Sequence, residues 1–183
     1  METTDSDKHW YVVLTRTNSE RKVRDYFQLQ EVDTFLPVQN RVIEREGKRI
    51  ERERLLLPRM VFVHISRQEM AAVRSTLNVY DFLRDRSTGA PTCIPDAQMA
   101  DFRYMLDYSQ DQVILTGESI PKGTRVVVAK GDLQGLRGEL VRYNNKYHIL
   151  VRIDMFGSAM VTIPASYVRK RNKSIYVKKY HYM

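Results

Sequence analysis

VVVAKGDLQGLRGELV, residues 126–141, sets three glycines between two runs of valine and leucine. Gly131, Gly135 and Gly138 fall four and then three residues apart. Val126, Val127 and Val128 are stiff at χ1 and favour an extended backbone. Gly131, after Lys130 and before Asp132, stands where a turn asks for positive φ. Gly135 and Gly138 stand where the strand resumes, and glycine there marks a bulge, a bend or a close backbone approach. The stretch is strand, turn and strand. Two readings fit it: a tight hairpin of any small β domain, or the corner of a short, strongly curved barrel.

Working outward, residues 120–170 read as strand and turn throughout. YNNK (143–146) is a second hairpin turn and Phe156-Gly157-Ser158 a third, so a small barrel of about five strands is expected. The net charge is +8 over 183 residues, unevenly spread. Residues 120–183 carry 13 Lys/Arg against 3 Asp/Glu, or +10, whereas residues 1–119 carry 17 against 19, or −2. That asymmetry divides the chain into two modules, one of them suited to a polyanion. Six of the cations crowd into RKRNKSIYVKKYHYM, which either meets such a polyanion or is a solubilising tail.

The first module mixes elements. HWYVVLT (9–15) is a strand. Thr17-Asn18-Ser19-Glu20 matches a capping box with Thr17 as N-cap, and Val23, Tyr26 and Phe27 follow at helical spacing to about Glu31. TFLPV is a short strand that Pro37 confines to an edge or an end. RVIEREGKRIERERLLL (41–57) has two charged arms around Glu46-Gly47-Lys48, the form of an exposed, solvated hairpin. RMVFVHI (59–65) is a strong strand. Ser66-Arg67-Gln68-Glu69 repeats the capping box before Met70, Val73 and Leu77. Pro95 opens a third helix, with Met99, Phe102 and Leu106 on its buried side. This order predicts an α+β sandwich over 8–108, a linker at 109–119, the barrel at 120–170 and a basic tail at 171–183.

Alternation along the two strong strands is unusual. Val61, Val63 and Ile65 share one face and Met60 and Phe62 the other, while Trp10, Val12 and Leu14 oppose Tyr11 and Val13. Both faces of the sheet are apolar. Either the helices wrap both sides, or one face is kept for a partner.

Nothing in the chain reads as catalysis. His9, His64, His148 and His181 are scattered and lack metal-ligand spacing. Cys93 is the one cysteine, without an adjacent histidine to activate it. There is no nucleophile elbow and no phosphate-binding glycine loop. No enzyme, cofactor or metal is therefore expected. No apolar run approaches the roughly 20 residues that span a bilayer. METTDSDKHW is acidic and polar, unlike a secretory signal, so a cytoplasmic protein without a membrane partner is expected.

Taken in order, HWYVVLT, ERERLLLPRMVFVHI, VRSTLNVYDFL, the glycine stretch and RIDMFGSAMVTIP resemble the NusG family of transcription elongation factors, from about Trp10 to Lys170. The resemblance implies an N-terminal NGN-type α/β sandwich with an antiparallel sheet, linked to a C-terminal SH3-like β barrel with the KOW motif. Gly131 and Gly138 resemble that motif's glycines. The resemblance also implies that a hydrophobic face grips the RNA polymerase clamp, matched here by Val12, Leu14, Leu57, Pro58, Met60, Phe62 and Leu83. Arg16 and Lys22 resemble basic positions near upstream-fork or non-template DNA; the alternative is a pair of ordinary solvated cations. Leu133, Leu136, Met155 and Phe156 match a patch that binds Rho or a small-subunit ribosomal protein.

The chain also departs from the family pattern. Leu56-Leu57-Pro58-Arg59-Met60 stands where the common motif is aromatic-aromatic-Pro-Gly-Tyr, and Leu133 and Leu136 replace loop aromatics. These changes keep hydrophobicity but not shape. They point to a monomeric, operon-specific antitermination factor of the RfaH or UpxY type, with RNA affinity from the basic tail. Two readings stand beside it: a diverged housekeeping factor, and an RNA-binding or ribosome-associated KOW protein.

Overall fold

The computed structural model describes residues 7–45 and 47–171. Strand β1 (His9–Thr15) leads through α1 (Glu20–Leu29) to β2 (Asp33–Phe35), β3 (Val38–Arg45), β4 (Lys48–Leu55) and β5 (Met60–Ile65). Helix α2 (Met70–Arg74), β6 (Val79–Phe82), β7 (Cys93–Ile94) and α3 (Asp96–Tyr108) complete the first module. Its sheet is antiparallel in the order β2-β5-β1-β6, with β7 also on β1, and β3 and β4 form a separate ribbon. The α+β expectation holds.

Both apolar faces of this sheet are covered, by different means. Tyr11, Val13, Val61, Val63 and Ile65 pack under Val23 and Phe27 of α1 and Val73 of α2. On the other side, Trp10, Val12, Phe62 and Ile94 pack against Met99, Phe102, Met105 and Leu106 of α3. Each buried aromatic or branched side chain stabilises by about 1.5–3 kcal/mol, so neither face can be left open cheaply.

The second module holds β8 (Ile114–Thr116), β9 (Thr124–Val128), β10 (Arg137–Tyr143), β11 (Lys146–Ile153), β12 (Gly157–Thr162) and β13 (Val168–Lys170), in the order β13-β9-β10-β11-β12-β8. Its sixth strand, β8, arises from the segment read as a linker. Ile114, Leu115 and Thr116 pair with the outer edge of β12, which would otherwise present bare backbone groups. Among the described residues no ladder joins β13 to β8, so the expected closed barrel is an antiparallel sheet with two edges.

The glycine stretch resolves into two roles. Gly131 and Gly135 adopt φ of 80° and 95° in the turn between β9 and β10. Gly138 lies within β10, where a Cβ would come 2.6 Å from the Leu150 carbonyl oxygen. Turn chemistry explains the first two, and close approach the third. Asn144 and Asn145, both at positive φ, make the two-residue turn of the β10–β11 hairpin.

Three local expectations give way. Glu20 does not reach back to Thr17; α1 begins at Glu20 after Ser19, and Glu20 is buried with Oε1 accepting the Arg59 N–H at 2.8 Å. Long-range demand from the Arg59 turn, at φ 65°, takes the carboxylate away from the helix end. Leu77 is 82% exposed, because α2 stops at Arg74 and the Ser75 and Thr76 hydroxyls bond back to the Ala71 and Ala72 carbonyls. The third turn falls at Asp154–Phe156, with Gly157 opening β12. The second capping box survives in part: Glu69 Oε2 accepts the Ser66 N–H at 2.7 Å.

Candidate functional site

The face built from β1 and β5 carries the apolar positions at issue. Antiparallel register sets Val12 opposite Phe62 and Leu14 opposite Met60, so the four share one patch. Leu57 arrives from the turn before β5 and Leu83 from the end of β6, both partly buried against the same core; Pro58 lies exposed at the edge. Phe62 sits at the centre, fully buried, with its ring 5.9 Å from Phe35 and 6.3 Å from Phe102.

The second module lies on this face. Phe156, from the loop between β11 and β12, brings its ring 5.5 Å from Phe62. Leu133 and Leu136 are buried in the core that also holds Val12 and Phe62. Helix α3 touches β1 on one side and β11 on the other. Polar contacts frame the seam. Tyr104 Oη donates to the Gln134 carbonyl at 2.8 Å, and the Asp154 N–H donates to Gln98 Oε1 at 2.9 Å. Arg137 of β10 pairs with Asp101 of α3 at 3.5 Å. Burial pushes the Asp101 carboxyl above its usual range despite the Arg137 guanidinium beside it.

Each candidate position has a definite place. Val12, Phe62, Leu133 and Leu136 are buried at the seam, and Leu14, Leu57, Met60, Leu83 and Phe156 are partly exposed around it. Met155, at φ 72° and 45% exposed, stands outside that core. Arg16, just past β1, and Lys22, in the first turns of α1, are both exposed and away from the seam. The tail beyond Arg171, with its proposed RNA affinity, lies outside the described residues. Gln98, Asp101 and Tyr104, which frame the seam, escaped the sequence reading. They sit on the polar side of a helix whose apolar spacing drew the attention, and nothing in their spacing marks them.

Among the described residues no group of three or more His, Cys, Asp or Glu side chains could hold a metal ion. Among those residues, too, no helix is long and apolar enough to cross a membrane. Cys93 is exposed, but burial of its thiol and the nearby Asp96 push its pKa up, the wrong direction for a nucleophile.

Among the described residues, two modules meet along one apolar seam, and comparison with known proteins supplies the family. A family model described as transcription termination factor nusG matches residues 8–103, more than half of the chain. The chain belongs to the NusG family, whose members are transcription factors and not enzymes. No curated protein sequence matches it. A solved structure described as domain interaction in Thermotoga maritima NusG is similar at 20% identity and TM-score 0.49, covering 91% of this chain and 98% of that one. A structure of the MjSpt4:Spt5 complex in conformation A is similar at 14% identity and TM-score 0.30, covering 90% and 99%.

Proposed function

We propose that the protein is an elongation and antitermination factor that docks on the RNA polymerase clamp through Val12, Leu14, Leu57, Pro58, Met60, Phe62 and Leu83. Its C-terminal sheet recruits a second protein, Rho or a small-subunit ribosomal protein, through Leu133, Leu136, Met155 and Phe156. The observation that carries this reading is the Phe62–Phe156 contact, 5.5 Å between ring centres. A desolvated aromatic centre of this kind is what a protein interface uses, and here the two recruiting surfaces occupy one another. The factor is therefore latent in this state, and polymerase competes with its own C-terminal domain for Phe62. Latency fits a factor reserved for chosen operons, as the departures at Leu57, Arg59 and Met60 suggest. Arg16 and Lys22, exposed away from the seam, remain free to meet DNA beside the clamp.

The test is binding to core polymerase. Phe156→Ser should raise affinity by removing the competitor, and Met60→Asp, which puts a charge at the docking face, should abolish it. A folded Met60→Asp variant that binds as well as wild type would refute this surface.

A further inference from the structure

A cleft of about 280 Å³ lies between helix α3 and strands β9, β10 and β11. Four arginines line it: Arg125 of β9, Arg137 of β10, Arg152 of β11 and Arg171, just past β13. Register explains how they converge. Arg125 stands opposite Glu139, and Glu139 opposite Leu150. Arg137 and Arg152 lie two residues along those strands, so alternation turns all three arginines to one side of the sheet. The Arg171 N–H donates to the Arg125 carbonyl at 3.0 Å, which draws the fourth to the same strand. Helix α3 supplies the other wall with Gln98 and Asp101, one turn apart.

The charges of the cleft do not cancel. Its carboxylates are Asp101 and Glu139, so four arginines against two acids leave a net charge of +2. Glu139 is already engaged, taking Nε and Nη2 of Arg152 at 2.8 Å each and the Gly123 N–H besides. Arg137 is held loosely. Its guanidinium stands 3.5 Å from Asp101 Oδ1, beyond the roughly 2.7–3.2 Å of a normal hydrogen bond. Arg125 is exposed, and among the described residues its guanidinium donates no hydrogen bond. Burial favours the protonated form of Asp101, which offers an O–H donor in place of a repelling charge. Arg125 and Arg137 thus line the cleft with donors that no carboxylate of the chain uses up.

We propose that this cleft binds the phosphate group of a small phosphorylated ligand, through Arg125 and Arg137, while Arg152 keeps Glu139 neutralised. A phosphate monoester carries about −1.5 to −2 charges near neutrality, which matches the surplus. Planar guanidinium forks suit its oxygens better than a point charge would. A nucleic-acid strand asks instead for a groove of cations that tracks its backbone. Here Asp101 and Glu139 break up the arginines, so the surplus serves a single phosphate. The ligand takes one wall of its site from each module. Its binding is measured without polymerase, so the site stands or falls apart from the docking reading.

The experiment titrates inorganic phosphate into the full chain by calorimetry at constant ionic strength. Wild type should bind saturably, one phosphate to one chain. Arg125→Gln and Arg137→Gln should each weaken binding by about tenfold or more, the loss of one hydrogen bond between charged groups. Arg142→Gln removes the same charge from an exposed position on the opposite side of β10 and should bind as wild type does. The basic tail is present in every variant and contributes equally to all. Absence of saturable binding, or equal losses from Arg125→Gln and Arg142→Gln, would overturn the site. A short single-stranded oligonucleotide that binds more tightly than phosphate, and loses affinity with Arg125→Gln, would overturn the assignment to a small ligand.

Discussion

Phe156 and Phe62 belong to different modules, yet their rings lie 5.5 Å apart, tilted by 49°, in a cluster that also holds Phe35 and Phe102. Phe156, from a three-residue turn, thus closes the molecule together with Leu133 and Leu136, which are buried in the same core. Phe156→Ala should weaken closure by up to about 3 kcal/mol, the burial of one phenylalanine. Small-angle scattering should report a larger radius of gyration for the variant, with the helical and strand content unchanged. An unaltered radius would mean that Leu133, Leu136 and the polar frame of Gln98, Asp101 and Tyr104 suffice without it.

Glu20 is a structural acceptor and not a helix cap. Its carboxylate meets the N–H of Arg59, a residue held at positive φ without being glycine. Glu20→Ala leaves that partly buried donor without its acceptor and should cost about 1 kcal/mol. Glu20→Gln keeps an acceptor oxygen and should cost much less. Urea unfolding of the two variants distinguishes this account from general surface-charge loss, which predicts equal effects.

Acid should strip a defined contribution from the C-terminal sheet. Glu139 takes both Nε and Nη2 of Arg152 at 2.8 Å, and the Gly123 N–H besides. The Arg152 hydrogen bonds, chiefly, hold its carboxyl below the usual value. A folded-state pKa below the unfolded one gives stability that is full above about pH 4.5 and is lost as pH falls through the folded value. Urea midpoints measured from pH 6 downward should fall more steeply for wild type than for Glu139→Gln.

Asp101 has the opposite sign. Burial raises its carboxyl despite the Arg137 guanidinium beside it, so the protonated form suits the closed molecule better than the open one. Its contribution to closure is complete below the ordinary carboxyl value and declines as pH rises through the raised one. Fluorescence transfer between dyes on the two modules should thus show slightly tighter closure in mild acid than at neutrality. Asp101→Asn should abolish that slope while keeping the modules together.

Much of this was legible in the sequence where periodicity carried it. Alternation along HWYVVLT and RMVFVHI exposed the doubly apolar sheet, and three glycines marked the β9–β10 corner. The ribbon around Gly47 was legible as a hairpin too. Its register, which sets Val38 opposite Leu55 at the base, was hidden, because the run of Arg and Glu carries no apolar alternation. What covers the second apolar face was equally hidden. Alternation reports that a face is dry and not which element keeps it dry, and Phe156 lies 94 positions from Phe62 along the chain. Glu20 misled for a related reason: its spacing suits a local bond, but an unpaired donor at Arg59 competes for it.

Strand β8 has a mechanical consequence. Helix α3 ends at Tyr108 and β8 begins at Ile114, so residues 109–113 join the two modules. Five extended residues span about 17 Å at most. While β8 stays zipped to β12, a released C-terminal sheet is leashed within that radius and soon finds its seat again. Once β8 peels away, the leash runs to Gly123, and fifteen residues reach about 50 Å. Three strand residues thus choose between a short tether, which returns the molecule to rest after each encounter, and a long one, which lets a single bound factor canvass its surroundings.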